Sequence, residues 1–414
     1  MQVIIMAAGR STRTYPLTLT RPKPLLPVMG EPLLVRQLEA LEGIADEVIL
    51  VIGWQGGMIR ERMGGRFGPI RLRYVVQREQ RGTGHAVLQC REAAGREFLV
   101  LNGDDLYDPA DLRQLAAADR AALAREVPDP RLYGIYETDP DGRVRRLVEK
   151  PVEISSRLAN IGAYRLGSEI FELLEHAPVS PRGEIELTDG IQALAERRPF
   201  HALTARGYWL PIGYPWHLLD ANRFWLDHDL EPGVHGDVSD RAEIAGPVYI
   251  GPGTRVRSGA VIEGPVWIGP DCRIGPNCWI RPYTVLGRGC VVGHASEVKG
   301  SVLFDGARAP HQNYVGDSIL GEGVNLGCGT ITANLRHDEA EVRSMVGGAL
   351  IGTGRKKLGA IVGDGVHTGI NTSIYPGRKL WPGTVTRPGA VIDRDLVRGN
   401  ESATESASPG GEPS

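Results

Sequence analysis

The sequence lacks a long hydrophobic run, a paired-cysteine motif and a strong net charge. No apolar run approaches the roughly 20 residues that span a bilayer, and the N-terminus has neither the basic start nor the long apolar core of a secretory signal. The 414 residues include five cysteines, an odd number without a Cys-x-x-Cys pair, which argues against a disulfide framework. We therefore expect a cytoplasmic protein without a membrane partner.

The formal net charge is −3, which gives no general attraction to nucleic acid or to anionic membranes. We expect no nucleic-acid partner, and any anion that the protein binds must be held by local cations. The length suits two or three domains with ample core.

The first half alternates strand-like and helix-like segments. Strand-like segments rich in aliphatic residues occur at 3–6, 47–53, 72–76 and 98–105. Continuous aliphatic runs are typical of strands covered on both faces. A helix is predicted to begin near Glu31. Strands separated by helices predict a parallel α/β sheet, whose ligands bind at the carboxyl ends of the strands. The loop after the first strand and the "NGDD" segment should therefore face one crevice.

The second half repeats an aliphatic residue every six positions. Such a period is typical of a hexapeptide β-helix, in which short strands stack as coils around an aliphatic core. The repeat positions are Ile244, Ile250, Val256, Ile262, Ile268, Ile274, Ile280, Leu286, Val292, Val298 and Phe304. Cys272, Cys278 and Cys290 share a small-residue slot of this repeat and are interpreted as core filler. The period breaks at "APHQNYVGDSIL", which contains His311 and Tyr314.

The segment "MAAGRSTRTYPLTLTRPKPLLPV" has the features of a phosphate site. A small-residue turn after a buried strand lets backbone N–H groups approach a phosphate, and Arg13 and Lys23 can neutralise its charge. Asp104 ends a later strand, where a carboxylate can bind Mg²⁺ together with phosphate oxygens. Each feature alone is more often a surface feature, but their joint occurrence at the strand ends of one sheet favours function.

Several motifs carry a family resemblance. "AAGRSTR…PKPLLPV", "QREQRGTGHA", "NGDD", "YG", "VEKP" and "ANIGAY" resemble those of sugar-1-phosphate nucleotidylyltransferases in order and spacing. With the hexapeptide half, residues 1–398 resemble the bifunctional N-acetylglucosamine-1-phosphate uridylyltransferase/glucosamine-1-phosphate acetyltransferases of the archaeal type. The resemblance implies a Rossmann-like α/β nucleotidyltransferase domain, a left-handed parallel β-helix and a homotrimer. The change of pattern at "DLEPGVHGDVSD" places these domains at 1–235 and 236–398, and the small polar residues of 399–414 predict a disordered tail.

The same resemblance assigns the first site. Arg13 and Lys23 would hold the nucleotide phosphates, and Asp104 would bind Mg²⁺. The remaining nucleotide contacts would come from Ala8, Gly9, Gln77, Gly82 and Thr83. The sugar phosphate would be bound by Gly134, Glu149, Lys150 and Asn160.

The resemblance also assigns an acetyltransferase site. His311 would be the general base that deprotonates the sugar amine, with acetyl-CoA as co-substrate against loops such as 333–358. The other substrate-binding residues would be Arg281, Lys299, Tyr314 and Asn334. The cations at 354–357 either bind the phosphates of CoA or belong to a solvated loop.

Three positions depart from the family pattern. Ser11 stands where the family usually has glycine, so an unusual backbone conformation is expected there. Pro211 replaces a second metal-binding aspartate, which leaves Mg²⁺ to Asp104, phosphates and water, or to a neighbour such as Asp105. Ala340 replaces a substrate-contacting lysine, for which Arg343 can substitute.

Three functions remain open from the sequence. The leading interpretation is a bifunctional enzyme that uses UTP, N-acetylglucosamine-1-phosphate, glucosamine-1-phosphate and acetyl-CoA. A second is a nucleotidylyltransferase alone, for example with dTTP and glucose-1-phosphate, whose β-helix is structural. A third is a non-catalytic scaffold or regulator. The departures at Ser11, Pro211 and Ala340 favour it, but a larger set of intact site residues argues against it more strongly: Arg13, Lys23, Asp104, Lys150 and His311.

Overall fold

The computed structural model describes residues 1–149, 151–181 and 183–397. Lys150 and the predicted tail therefore lie outside the described residues, and the predicted domain bounds stay a prediction. Two compact units are distinguished by their internal packing. The first, the sheet unit, contains Met1–Ser11, Arg21–Leu26 and Pro32–Ile212, and the second, the coil unit, contains Thr12–Thr20, Pro27–Glu31 and the described residues from Gly213 onward. No helix in the described ranges is long and apolar enough to cross a membrane.

The sheet unit is built on a ten-stranded sheet whose centre is parallel. Strand Gln2–Ala7 lies between Glu97–Asn102 and Glu47–Ile52, and Ile70–Val76 pairs with the outer side of Glu47–Ile52. These four strands are the predicted aliphatic runs. Every residue of Glu47–Ile52 is buried, as expected for a central strand covered on both faces.

Most of the remaining pairings in this sheet are antiparallel, so the prediction of a parallel sheet was wrong for that part, although His201–Thr204 pairs parallel with Ala121–Glu126. Leu158–Gly167 runs antiparallel to Glu97–Asn102, and Gly134–Thr138 pairs antiparallel with Val144–Glu149. The connection between these last two strands is five residues long. A connection this short can join antiparallel strands but not parallel ones, which need a crossover of a dozen residues or more.

Helices cover the sheet, and short elements complete the unit. The predicted helix near Glu31 begins at Leu33, directly after Pro32. The α-helices of this unit are Leu33–Ala40, Gly56–Met63, Thr83–Leu88, Pro109–Ala117, Glu169–Glu175 and Leu187–Arg197. The further strands are Arg66–Phe67, Asp105–Tyr107, Ala121–Glu126, His201–Thr204 and Trp209–Pro211. 3-10 turns of this unit lie at Lys23–Leu25 and Pro130–Leu132, whereas the turn Thr12–Thr14 belongs to the coil unit.

The coil unit begins with helix His217–His228 and continues as three parallel sheets. From Asp237 onward, the strands of the first coils pair with the strand 18 residues later, as in Ile250 with Ile268 and Ile262 with Ile280, so that three hexads make one coil. The inward aliphatic residues and Cys272, Cys278 and Cys290 are buried in one core, which confirms that these cysteines are filler.

The strands of the three sheets are short. The first sheet contains Gly233–Val234, Val248–Ile250, Val266–Ile268, Thr284–Leu286, Val302–Leu303, Ile319–Leu320, Ile361–Val362 and Lys379–Leu380. The second contains Asp237–Val238, Arg255–Val256, Arg273–Ile274, Val291–His294 and Arg308–His311. The third contains Glu243–Ala245, Val261–Glu263, Trp279–Ile280, Glu297–Lys299, Tyr314–Gly316, Ile331–Thr332, Ser373–Ile374 and Val391–Ile392.

The period of six slips at a different place from the one that the sequence suggested. Leu286 pairs with Leu303 and Leu303 with Leu320, which is 17 positions in each case, so Leu303 rather than Phe304 takes the repeat position. One residue is missing at the same corner of two successive coils, before Leu303 and before Leu320. His311, in contrast, pairs with His294 in a hexad of normal length.

A larger insertion occupies the same corner one coil later. Ile319 pairs with Ile361, 42 positions later, because the corner there contains an antiparallel hairpin of Arg343–Val346 and Ala349–Gly352. The coil sheets continue on either side of this insertion, which shows that a corner can lengthen without disturbing the stack.

Candidate active sites

A lysine and a carboxylate are joined at the carboxyl end of the central strands. The Nζ atom of Lys23 lies 2.8 Å from Oδ2 of Asp104 and donates to the carbonyl of Ile212 at 2.7 Å. The 3-10 turn Lys23–Leu25 follows Pro22, which has extended backbone. Lys23 is only 3% exposed, so its ammonium group is held in one place beside a half-exposed carboxylate.

Asp105 points into the protein instead of toward this crevice. Its Oδ2 accepts hydrogen bonds from Nδ2 of Asn102 at 3.1 Å and from the hydroxyl of Tyr107 at 3.3 Å. Burial, with Asp104 nearby, raises the pKa of the Asp105 carboxyl to about 7. Pro211 pairs with Asp105 through the backbone of strand Trp209–Pro211. A cation here would therefore rely on Asp104.

The donor set fits a Mg²⁺ ion that arrives with phosphate. Among residues 1–149, 151–181 and 183–397, no three His, Cys, Asp or Glu side chains cluster as a complete metal site. Mg²⁺ usually binds through one or two carboxylates, waters and the phosphates of its substrate, so Asp104 alone is compatible with it.

The loop after the first strand has the expected unusual backbone. Ser11 has a φ of 51°, in the left-handed region, as predicted from a serine in a glycine position. Gly9 is exposed, and a side chain there would meet nothing within 4 Å. The carbonyl of Ala8 accepts from the backbone N–H of Trp54 at 3.1 Å, so the base of this loop is fixed to the neighbouring strand.

The predicted nucleotide contacts lie together after strand Ile70–Val76. Gln77 is buried, and its Nε2 donates to the carbonyl of Gly82 at 3.1 Å. Thr83 is the first residue of helix Thr83–Leu88, and its hydroxyl accepts from the backbone N–H of Leu187 at 3.0 Å. The structure thus brings Gln77, Gly82 and Thr83 into one edge of the sheet unit.

Three of the four predicted sugar-phosphate residues are also neighbours. Gly134 pairs with Glu149 across the hairpin, and a Cβ at Gly134 would lie 2.8 Å from Oε2 of Glu149 and 3.8 Å from Cβ of Asn160. Nδ2 of Asn160 donates to the hydroxyl of Tyr164 at 2.8 Å. The fourth, Lys150, lies outside the described residues.

Arg13 packs with the coil unit. It is exposed, and its guanidinium carbon lies 5.7 Å from the ring centre of Tyr214. A cation over an aromatic face is attracted by the ring quadrupole, which gives Arg13 a defined position.

A second charged group lies on the coils. Nη1 of Arg281 donates to Oε1 of Glu297 at 2.8 Å, and its guanidinium lies 4.5 Å from the ring centre of Trp279. Nε of the same arginine is buried and has no hydrogen-bond partner among the described residues. A buried N–H without an acceptor is costly, so this guanidinium keeps one donor that the described residues do not use.

Lys299, Tyr314 and Asn334 complete this group. Nζ of Lys299 lies 3.1 Å and Nδ2 of Asn334 lies 2.5 Å from Oδ2 of Asp317. Burial, together with the charges of Glu297 and Asp317, raises the pKa of Tyr314. Tyr314 therefore stays a neutral hydroxyl that can donate a hydrogen bond at neutral pH.

His311 stands apart from that charged group. It is exposed at the end of strand Arg308–His311, and its backbone N–H donates to Oδ1 of Asn313 at 3.1 Å. No hydrogen bond joins its ring to the group around Asp317 in the part of the chain that the structure describes. The geometry thus leaves the ring accessible to a substrate.

Sequence reasoning missed Glu297 and Asp317, which pair with the two predicted cations. Their signal was present, because Glu297 stands two positions before Lys299 on the same outward side of a strand and Asp317 stands where the period loses a residue. Of the cations at 354–357, Arg355 forms an ion pair with Asp220, whereas Lys356 and Lys357 are exposed.

Beside the hairpin, a cavity of about 510 Å³ is lined by both arginines and aspartates. The side chain of Arg343, the candidate substitute for the missing lysine at Ala340, lines it and donates to the carbonyl of Leu350 at 2.7 Å. Arg336, Arg378 and Tyr375 also line it.

Family models match both halves of the chain. Residues 2–228 match the nucleotidyl transferase model, and residues 262–378 match the model of the GMPPB C-terminal domain. The UDP-glucose pyrophosphorylase solved in complex with UDP-glucose is 26% identical, with a TM-score of 0.51, and the match covers 55% of this chain and 98% of that chain.

Curated relatives match almost the whole chain. The bifunctional protein GlmU of Methanococcus maripaludis is 41% identical over 96% of this chain and 95% of its own length. A bifunctional sugar-1-phosphate nucleotidylyltransferase/acetyltransferase of Sulfurisphaera tokodaii is 38% identical over 96% of this chain and 99% of its own. A glucose-1-phosphate thymidylyltransferase of Streptomyces griseus is 33% identical over 79% of this chain and 93% of its own.

Proposed function

We propose, from the premise that this chain belongs to the archaeal family of bifunctional sugar-1-phosphate nucleotidylyltransferase/acetyltransferases, that it makes UDP-N-acetylglucosamine by two reactions. It acetylates glucosamine-1-phosphate with acetyl-CoA, and it transfers a uridylyl group from UTP to N-acetylglucosamine-1-phosphate with release of pyrophosphate. The observation that carries the proposal is that one chain holds both the fixed Lys23–Asp104 pair and the charged group around Arg281 and Lys299.

In the nucleotidyl transfer, an oxygen of the sugar-1-phosphate attacks the α-phosphorus of UTP. The bond from that phosphorus to the pyrophosphate oxygen breaks, and pyrophosphate leaves. No protein nucleophile is needed, because positioning and charge neutralisation supply most of the catalysis in such transfers. Lys23 and Arg13 neutralise the phosphates, while Gln77, Gly82 and Thr83 bind the base, and Ala8 and Gly9 admit the nucleotide to the loop.

The sugar phosphate takes the opposite side of this site. Gly134 leaves space for the sugar beside Glu149 and Asn160, and Lys150 is assigned to its phosphate. Asp104 would hold Mg²⁺ together with the nucleotide phosphates. The ion, when bound, neutralises negative charge on the triphosphate and orients the leaving group.

In the acetyl transfer, the sugar amine attacks the thioester carbonyl carbon of acetyl-CoA. The nitrogen–carbon bond forms, the carbon–sulfur bond breaks, and CoA leaves as the thiol. An ammonium group is not nucleophilic, so His311 takes a proton from the nitrogen as general base. Arg281, Lys299 and Tyr314 hold the substrate phosphate, and Asn334 contacts the sugar. Acetyl-CoA lies along the coils against the 333–358 insertion.

The assembly that we propose is a homotrimer of left-handed coils. Outward side chains of one coil sheet include the partly exposed Trp279, Ile331 and Val391. Apolar side chains lined up on one face of a coil favour burial against a second copy of the chain. The hand of the coils belongs to this proposal and is tested by an experimental structure.

The decisive experiment measures pyrophosphate release over a matrix of nucleotides and sugar-1-phosphates. We expect the highest kcat/KM with UTP and N-acetylglucosamine-1-phosphate. The relative from Streptomyces griseus supports a second candidate, in which dTTP and glucose-1-phosphate are preferred. Release in no combination would contradict both candidates.

The acetyltransferase half has its own test. CoA-thiol release is measured with glucosamine-1-phosphate for the wild type and for His311→Ala, with the neighbouring Gln312→Ala as a matched exposed control. We expect His311→Ala to lose about 10²–10⁴ in kcat, the usual contribution of a general base. Equal rates in the wild type and His311→Ala would remove the base assignment.

A further inference from the structure

The corner that loses one residue in two successive coils carries an aspartate in a rare backbone conformation. Asp317 has a φ of 46°, in the left-handed region. Asp317 is only 9% exposed. Its backbone N–H donates to the carbonyl of Lys299 at 2.8 Å, and its own carbonyl accepts from Gly359 at 2.9 Å. The corner therefore fixes both the backbone and the direction of this carboxylate.

One oxygen of that carboxylate joins three successive coils. Oδ2 of Asp317 lies 3.1 Å from Nζ of Lys299 in the preceding coil and 2.5 Å from Nδ2 of Asn334 in the next. Lys299 and Asn334 are both residues of the proposed acetyltransferase site, although they are far apart in the sequence. Asp317 is the group that they share.

Glycines make this approach possible. A Cβ at Gly300 would lie 2.8 Å from Oδ1 of Asp317, and a Cβ at Gly316 would lie 2.7 Å from both Nδ2 of Asn334 and the hydroxyl of Tyr314. Separations under 3 Å are closer than carbon and polar atoms tolerate, so larger residues at these two positions would push the group apart. The sequence of the corner is thus adapted to this arrangement.

The charge of Asp317 holds the ammonium group of Lys299 in place. A lysine ammonium is a point charge on a flexible four-carbon stem, and holding it in one place lowers the entropy that substrate binding must remove. We infer that Asp317 is a positioning residue for acetyl transfer, whose carboxylate fixes Lys299 and Asn334 where they bind the amino-sugar phosphate. This inference rests on the acetyltransferase activity proposed above.

The test uses two variants that keep the backbone. Asn and Gly both tolerate the left-handed region, so Asp317→Asn and Asp317→Gly remove the charge without a new backbone demand. In the full-length protein, kcat and KM for glucosamine-1-phosphate are measured by CoA-thiol release at saturating acetyl-CoA. We expect KM to rise about tenfold to hundredfold, the usual effect of losing a hydrogen bond to a charged group, with a smaller fall in kcat.

Asp271→Asn is the matched control. Asp271 also has left-handed backbone, with a φ of 62°, and it forms an ion pair with Arg288 at a coil corner. We expect this variant to keep the KM of the wild type, because its ion pair contains no proposed site residue.

Two results would overturn the inference. An unchanged KM, with or without a lower melting temperature, would show that Asp317 only stabilises the corner. A lower KM would show that its carboxylate competes with the substrate phosphate for Lys299. If the wild type did not acetylate, the proposed function would fail, and calorimetric binding of glucosamine-1-phosphate to the wild type and Asp317→Asn would still decide the role of Asp317.

Discussion

At the residue scale, both charged groups depend on a few side chains whose positions the backbone fixes. Lys23 is confined by Pro22 and by the carbonyl of Ile212, and Asp317 is confined by a left-handed corner. A left-handed backbone costs a non-glycine residue roughly 1–2 kcal/mol. Ser11 and Asp317 have this strained backbone, and each lies at the edge of a proposed site. Backbone strain is commonly found at functional sites.

Two lysine substitutions should separate the two activities. Lys23→Met removes the ammonium beside Asp104 and should lower uridylyl transfer about 10²–10³-fold, the usual effect of losing one charge partner of a transition state. Lys299→Met should raise the KM of acetyl transfer instead. Each variant is assayed for pyrophosphate release and for CoA-thiol release, so that each serves as the control of the other.

Thermal melting of both variants checks that they remain folded. Asp104→Asn, which keeps the size of the side chain, is a second variant of the first site. A Lys23→Met protein that folds and retains normal uridylyl transfer would contradict the role of the Lys23–Asp104 pair.

Pro211→Asp should strengthen the proposed magnesium site. Pro211 pairs with Asp105 and lies one residue before Ile212, whose carbonyl binds Lys23. A second carboxylate beside Asp104 adds an oxygen ligand of the kind that Mg²⁺ prefers. We expect the half-saturating Mg²⁺ concentration for pyrophosphate release to fall, while Pro211→Asn, which adds no charge, changes it less. Identical Mg²⁺ dependence in all three proteins would mean that the missing aspartate is no handicap.

At the element scale, the inserted hairpin is attached to the last coils by buried polar contacts. Nζ of Lys379 donates to the carbonyl of Met345 at 2.6 Å, and the hydroxyl of Ser344 donates to the carbonyl of Gly377 at 2.8 Å. The backbone N–H of Lys379 donates to Oδ1 of Asp395 at 3.0 Å. These contacts hold the hairpin that is proposed to lie against acetyl-CoA.

Because of Lys379, the free energy of unfolding should rise with pH in the alkaline range. Burial, which outweighs the opposing effect of Asp395, lowers the pKa of its ammonium to about 8. In the unfolded chain the pKa is about 10.4, so between about pH 8 and 10.4 the unfolded chain binds more protons and this residue's contribution to the free energy of unfolding rises with pH. The destabilising effect of the buried charge is therefore complete near pH 7 and is lost toward pH 10.

The comparison with Lys379→Met measures this effect. Near pH 7.5 the variant should melt at a higher temperature than the wild type, because it lacks the buried charge. This difference in melting temperature should shrink as the pH rises to about 10. Each unit of pKa shift corresponds to about 1.4 kcal/mol in the free energy of unfolding. Lys357→Met, at an exposed position, is the control and should give a constant difference. A constant difference for Lys379→Met as well would show that this lysine does not titrate differently in the folded state.

The sequence predicted those elements whose pattern is local. The four central strands appear as aliphatic runs and the coils as a period of six, because burial on both faces or inside a stack leaves a repeated trace. The antiparallel hairpin of Gly134–Thr138 and Val144–Glu149 and the shortened corners have no comparable repeating pattern in the sequence. Glu297 and Asp317 were missed because a partner on a neighbouring coil is adjacent in space but 16 to 18 positions away in the chain.

At the scale of the whole molecule, the two proposed reactions use separate groups of residues, and the coil sheet with Trp279, Ile331 and Val391 is the expected surface for self-association. We predict a trimer, because the flat sides of such coils pack around a threefold axis in the family that the sequence resembles. Light scattering at micromolar concentration should give a mass of three chains. A monomeric mass would contradict this prediction.

Substitution on the same sheet tests the surface. Val391 is 54% exposed and points outward, so Val391→Glu should weaken association without opening the core. Val385→Glu is the control, because Val385 is similarly exposed but bridges to His367 and belongs to neither the first nor the third sheet. A stable trimer in both variants would place the contact elsewhere on the coils.

The stacked coils also behave as a mechanical object. Because each coil pairs only with the one before and the one after, tension applied from the C-terminal end acts on one coil at a time. The chain should lengthen in steps that release 17 or 18 residues, the pairing offsets of the ordinary coils, with one longer step of 42 where Ile319 pairs with Ile361. In a force-extension trace, the inserted hairpin would thus appear as one step of larger extension within a series of nearly equal steps.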